Sequence, residues 1–175
     1  MTASAGAPVA PVLPLAFIGP MAAGKTKIAR RVARGLSVPF IDTDQRIVER
    51  YGPIAEIFSR EGEEYFRVIE REVVAEALAE EAVVSLGGGA VLDADTRADL
   101  SRCGVVYLSV AAPAAAKRIR GRKRPLLANG IDDWQRIFDQ RRPVYESLFD
   151  VHFDTSTRSI GDIADDIVTW TREKS

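Results

Sequence analysis

Lys25 and Thr26 are the first residues in the chain whose types and spacing suit work on a phosphate. They close the run Gly19-Pro20-Met21-Ala22-Ala23-Gly24-Lys25-Thr26, which fits the pattern G-x-x-x-x-G-K-[ST]. Such a loop turns backbone N–H groups inward as a nest for phosphate oxygens. A helix beginning at its end adds partial positive charge. Lys25 would then reach the β- and γ-phosphates, and the Thr26 hydroxyl would face Mg²⁺. The plain alternative is a chance turn carrying a surface lysine. An apolar run before the loop and helical spacing after it argue against that, because they supply the context the pattern needs. The loop does not name the acceptor, since kinases, GTPase switches, motor ATPases and DNA-processing enzymes all use one.

Asp42-Thr43-Asp44 follows a second short apolar run. Asp42 suits Mg²⁺ held through water, since hard cations take oxygen ligands and Mg²⁺ keeps several waters. Asp44 is placed to meet an acceptor hydroxyl and take its proton. Thr43 or Asp44 acting only as a helix cap is the simpler reading of the same residues. Arg67 and Glu70 lie three apart, so they pair on one helix face and fix the guanidinium for a carboxylate. A solvated surface pair is the alternative. Gly87-Gly88-Gly89 follows a third apolar run. Three glycines cost backbone entropy and make sense where backbone must approach a ligand closely. Arg118, Arg120, Arg122, Lys123 and Arg124 crowd a short stretch ending in Pro125-Leu126-Leu127. A lid bringing cations onto a transferring phosphate explains this better than a solvated loop. Arg141 and Arg142 add a further cationic point.

The elements that must position these groups alternate between strand and helix. Short apolar runs at 13–18, 39–41, 82–86, 105–110 and 151–153 read as strands. Helical spacing covers 25–36, 43–50, a short stretch from Pro53, 63–81 after a break at Gly62, 95–102, 113–120, 132–149 with a disturbance at Pro143, and 160–172. Alternation of this kind predicts a three-layer α/β/α fold around a five-stranded parallel sheet. Its strands read as near-continuous apolar runs, as a sheet covered on both faces requires. Ligands bind beyond the carboxyl ends of such strands, where the loop at 19–26, the acids at 42–44 and the glycines at 87–89 fall.

The 175 residues make a one-domain length. Residues 1–12, rich in alanine and proline, are expected to be a disordered tail, with a single domain over 13–175. The acceptor helices are expected at about 43–72 and the lid at about 121–131. With 46% hydrophobic and 28% charged residues, the composition excludes wholesale disorder. A net charge of -1 gives no bulk attraction to nucleic acid or anionic membrane, so anions must be held by local clusters. No apolar run approaches the ~20 residues that span a bilayer, and a cytoplasmic monomer is expected. Cys103 is alone and His152 is the single histidine. Both read as structural, and a Cys/His pair, a Ser-His-Asp triad or a zinc site is poorly supplied.

Taken together, the set resembles the shikimate kinase family. The matching elements are the loop at 19–26, Asp42-Thr43-Asp44, Gly62-Glu63 with Phe66-Arg67 and Glu70, and Ser85-Leu86-Gly87-Gly88-Gly89. Further along come Arg124-Pro125-Leu126-Leu127, and Arg141 with Pro143 and Tyr145. The resemblance covers about residues 15–170. It implies a P-loop fold like that of nucleoside-monophosphate kinases and ATP- and Mg²⁺-dependent phosphorylation of the 3-hydroxyl of shikimate, in aromatic amino-acid biosynthesis. Carried over by residue, it implies that Arg67, Arg141 and the Gly87-Gly88-Gly89 backbone bind shikimate, and that Phe58 and Phe66 wall its ring. Asp44 is implied as base, with Lys25 and Arg124 on the transferring phosphoryl. Gly19, Ala22, Ala23, Gly24 and Thr26 would cradle ATP. Lys117 or Arg118, with Arg158, would lie near the adenine. Thr26 and Asp42-Thr43 would serve Mg²⁺. The departures are Ala22, where many members have Gly, and Lys27, where many have Thr. A gluconate kinase shares the loop and lid and is the nearest rival. A nucleotide switch or silent binding module is less well supplied, because no N-K-x-D motif is present and Lys25, Asp44 and Arg124 are all retained.

Overall fold

A computed structural model describes residues 11–121 and 124–175. Nearly all of the expected tail, and Arg122 and Lys123 of the expected lid, lie outside the described residues.

The strands are β1 (Leu15–Ile18), β2 (Phe40–Asp42), β3 (Val83–Ser85), β4 (Gly104–Ser109) and β5 (Val151–Asp154). All pair parallel, in the order β2-β3-β1-β4-β5. Successive side chains along a strand point to opposite faces, so β1, β3 and β4 each feed two cores. Leu15, Phe17, Val83, Val106 and Leu108 pack on one face, with Ile28 and Val32. Ala16, Ile18, Val84, Val105 and Tyr107 pack on the other. The order reverses around β1, which puts a ligand crevice at its carboxyl end.

The helices are α1 (Lys25–Leu36), α2 (Thr43–Tyr51), α3 (Ile54–Ala77), α4 (Ala94–Leu100), α5 (Ala112–Ile119), α6 (Ile131–Glu146) and α7 (Ile160–Glu173). The expected break at Gly62 is present as a kink inside α3, with φ 86 and ψ 171. A third cluster, Ile47, Ile57, Phe66, Ile69 and Val73, ties α2 to both halves of α3.

Some boundaries differ from expectation. α3 ends at Ala77 rather than 81, because Ala79 and Glu80 N–H turn back to the Glu76 and Ala77 carbonyls and redirect the chain into β3. α6 stops at Glu146 rather than 149, since the Asp150 N–H must meet the Val105 carbonyl to start β5. A 3₁₀ turn at Ala90–Leu92, after the glycines, was not expected. Pro143 sits inside α6 without ending it.

No helix among the described residues is long and apolar enough to cross a membrane. Cys103 is half-buried, and burial pushes its thiol up to about 11, against a nucleophilic role. His152 lies in β5, stacked on Tyr107 and bonded to the Ser109 hydroxyl at 2.7 Å.

Candidate active site

Two cavities open at the carboxyl ends of β1, β2 and β3. One, of about 350 Å³, runs along the loop before α1. The other, of about 530 Å³, lies against α3 and α6. Met21, Asp44, Gly87, Gly88 and Arg124 line both, so the two form one continuous cleft with Asp44 at the junction.

The first cavity is built on the turn from β1 into α1. Gly19 takes φ 144, and a Cβ there would overlap the Leu108 carbonyl oxygen, so glycine is required. Gly24 caps α1 in the left-handed region, φ 84. Ala22 is left-handed as well, at φ 68. An L-residue with a Cβ is disfavoured there by about 1 kcal/mol. Lys25 Nζ donates to the Gly19 and Pro20 carbonyls at 2.8 and 2.9 Å. Burial lowers its pKa to about 8, an effect opposed by Asp44. A partly buried ammonium held by two carbonyls is suited to a phosphate oxygen.

The Thr26 hydroxyl donates to Asp42 Oδ2 at 2.6 Å, while Asp42 Oδ1 accepts from the Gln45 N–H at 3.0 Å. Asp42 is thus the cap of α2. Its extended backbone, φ -104 and ψ 118, is what a cap requires. The expectation that Thr43 or Asp44 caps this helix is corrected. Thr43 is fully buried and bridges β2 to the glycine turn, donating to the Ser85 carbonyl and accepting from the Gly87 N–H. Asp44 is left free of capping and faces the cleft. Burial, with Glu70 and Asp42 nearby, pushes its carboxyl up to about 6.

The second cavity is built on α3 and α6. Arg67 and Glu70 do pair, at 2.7 Å, and Glu63 joins at 3.3 Å. Glu70 is buried, and its desolvation raises its pKa against the pull of Arg67. Phe58 and Phe66 form a wall, centroids 4.8 Å apart. Arg141 is buried near Gly88; a Cβ on Gly88 would come within 3.3 Å of its guanidinium. A Cβ on Gly89 would overlap the Arg67 guanidinium, and one on Gly87 would lie 2.6 Å from Asp44 Oδ1. The glycines therefore let backbone pass between three charged side chains.

Arg118, Arg158 and Ala23 line the first cavity. Lys117 is exposed on α5 and lines neither cavity, so of the two adenine candidates the fold brings only Arg118 to the cleft. Two groups at the site, Thr155 and Trp134, escaped sequence reasoning, and a third, Tyr145, was matched to the family but given no role. Thr155 lines the nucleotide side and donates to the Ala23 carbonyl at 2.8 Å. Its place just past β5 was the available signal, because that is also a strand's carboxyl end. The Tyr145 hydroxyl donates to the Gly88 carbonyl at 2.6 Å, and Trp134 Nε1 to the Met21 carbonyl at 2.8 Å. Their buried ring donors needed partners, but nothing in the sequence says which.

A phosphate loop, a Thr–Asp pair joining the start of α1 to the end of β2, and a second cavity behind a shared carboxylate define a P-loop kinase. The family model for shikimate kinase matches residues 21–172. The chain belongs to the shikimate kinase family. It is 47% identical to the shikimate kinase of Streptomyces coelicolor over 77% of this chain and 81% of that one. It is also 47% identical to that of Thermobifida fusca, over 82% and 86%. Among solved structures it is similar to shikimate kinase from Acinetobacter baumannii in complex with shikimate. That match has a TM-score of 0.87 and 32% identity, covering 92% of this chain and 93% of that one.

Proposed function

We propose that the chain transfers the γ-phosphoryl group of ATP to the 3-hydroxyl of shikimate, giving shikimate 3-phosphate and ADP. The observation that carries this reading is the single cleft with Asp44 at the junction of its two cavities. The name of the solved relative with shikimate bound supports the choice of acceptor.

On this reading Arg67, fixed by Glu70, and Arg141 hold the acceptor carboxylate, and Phe58 and Phe66 bound its ring. The acceptor oxygen forms a bond to the γ-phosphorus as the bond to the β–γ bridging oxygen breaks. The hydroxyl proton passes to Asp44, whose raised pKa suits it to receive one. Lys25 leaves its two carbonyls for the phosphate oxygens, and Arg124, which lines both cavities, meets the charge developing between them. Arg118 and Arg158 lie toward the nucleoside end.

Thr26 Oγ1 and Asp42 are hard oxygen donors side by side, a fit for Mg²⁺. Among the described residues no cluster of three or more His, Cys, Asp or Glu offers an all-protein cage. Mg²⁺ bound chiefly by phosphates and water needs none. When bound, it would neutralise charge on the nucleotide phosphates.

The same reading takes 13–175 as one kinase domain acting as a cytoplasmic monomer, with residues 43–72 carrying the acceptor and 121–131 as lid. Purified protein with ATP, Mg²⁺ and shikimate is expected to release ADP in a coupled assay. Release with gluconate and none with shikimate would refute the assignment.

A further inference from the structure

Arg118 sits in the last turn of α5, and its guanidinium is already committed in this structure. Nη1 donates to the Ala22 carbonyl at 2.9 Å and to Thr155 Oγ1 at 3.1 Å, and Nη2 donates to the Thr155 carbonyl at 2.7 Å. Thr155 is buried, and its own hydroxyl donates to the Ala23 carbonyl at 2.8 Å. Two consecutive carbonyls of the phosphate loop are thus held from outside the loop, one by Arg118 directly and one through Thr155.

The residue Arg118 grips is also the loop residue in an unfavourable conformation. Ala22 and Ser37 are the non-glycine residues with positive φ among those described, and Ser37 is at a helix C-cap, where that conformation is common. Ala22 has no such excuse. Were it to relax to negative φ, the following peptide would rotate, its carbonyl would leave Arg118 and its N–H would leave the Pro20 carbonyl it meets at 3.4 Å, so the turn that sets the direction of the remaining loop N–H groups would open.

We propose that Arg118 is a positioning residue that, together with Thr155, holds Ala22 in its left-handed turn and so keeps the loop N–H groups aimed at phosphate. This rests on reading residues 19–26 as the nucleotide cradle. Only a planar fork reaches the Ala22 and Thr155 oxygens together, so lysine does not substitute. Arg118 is exposed and lines the first cavity, so the strut is compatible with an adenine lying against the same side chain.

The test is a cycle of wild type, Ala22→Gly, Arg118→Gln and the double variant. ATP KM, kcat, the ADP dissociation constant and Tm are measured for each. Arg118→Gln is expected to raise ATP KM and lower kcat, costing about tenfold or more in kcat/KM through loop misplacement. In the Ala22→Gly background the same substitution is expected to cost at least about threefold less, a coupling typical of contacting residues. Equal costs in both backgrounds, within about twofold, would overturn the strut. So would a rise in KM with kcat unchanged, the signature of a lost adenine contact alone. Arg118→Lys is expected to be as impaired as Arg118→Gln and serves if the latter fails to fold; a near-normal Arg118→Lys enzyme would refute the need for the fork. Wild type and Ala22→Gly both failing to bind ADP would instead refute the nucleotide-cradle reading.

Discussion

Thr26 and Asp42 are joined by a hydroxyl–carboxylate hydrogen bond of 2.6 Å, although one begins α1 and the other ends β2. β3 lies between β1 and β2 in the sheet, and α1 packs over β3 and β2, which carries Thr26 across to the end of β2. It brings two hard oxygen donors together next to the phosphate loop. Asp42 spends its other oxygen on the α2 cap, which fixes the carboxylate's orientation.

Asp42→Asn therefore separates two roles. Asparagine caps as well as aspartate, so Tm should change little. Loss of the charge should raise the Mg²⁺ concentration for half-maximal activity about tenfold or more, the scale of changes around a metal's ligands. A titration of activity against Mg²⁺ at saturating ATP and acceptor checks this.

Asp44 and Lys25 set the pH response. Burial raises Asp44 to about 6 and lowers Lys25 to about 8. A base must be ionised and a phosphate-binding lysine charged, so kcat/KM for ATP should fall below about pH 6 and above about pH 8. Bound triphosphate favours the charged lysine, so the alkaline limb of kcat should lie higher than that of kcat/KM.

Stability should show the cost of the same carboxylate. Its folded pKa, about 6, exceeds its ordinary 3.8, so the folded state holds the proton more tightly than the unfolded chain. The contribution of Asp44 is thus most favourable below pH 4 and is lost as pH rises through 6. Asp44→Asn should be more stable than wild type at pH 8, by on the order of 3 kcal/mol, and the gap should close toward pH 4. Its kcat should fall at least about 10²-fold. Urea melts at pH 4, 6 and 8 beside a turnover assay measure both.

Gly87 and Gly89 are two residues apart and face different charges. An alanine Cβ at 89 would overlap the Arg67 guanidinium and push it from its Glu70 pair, while one at 87 would crowd Asp44. Gly89→Ala should chiefly raise the acceptor KM, and Gly87→Ala should chiefly lower kcat. Each change should reach about tenfold in its own parameter, as small displacements of reacting groups do. Steady-state kinetics with varied shikimate distinguish them.

The sequence carried the fold because strand and helix periodicities alternate cleanly and each strand's apolar run is short. It carried Lys25, Asp44, Arg67 and the glycines because their chemistry requires those types just past a strand or three apart on a helix. Thr155, Tyr145 and Trp134 were not legible in the same way. Each acts through a bond to a backbone carbonyl far along the chain, at Ala23, Gly88 and Met21. A carbonyl acceptor is available at every residue, so no side-chain type at the other end announces the pairing. The cap of α2 was misplaced for a related reason. Asp42, Thr43 and Asp44 all cap well, and only the fold decides that Thr43 is consumed in bridging Ser85 and Gly87.

Lys27 remains as a departure with a consequence for nucleotide binding. It lies exposed in the first turn of α1 and lines the nucleotide cavity, with no acidic residue in that turn. A cation there opposes the helix dipole unless an anion lies beside it. Its place, two residues past Lys25, suits a phosphate that is not transferred, whose charge is the same in ATP and ADP. Lys27→Thr should therefore weaken ATP and ADP equally, by about threefold to tenfold, and flatten the salt dependence of both. That is the scale of one charge-assisted hydrogen bond at a partly exposed site. Because the lost contact is equal in ground and transition states, kcat should not change. The ligand-free variant should melt slightly higher than wild type, since the unfavourable dipole contact is gone. Calorimetric titrations with ATP and ADP at two ionic strengths, with steady-state kinetics, check all of these. A drop in kcat at unchanged affinity would place Lys27 on the transferring group instead.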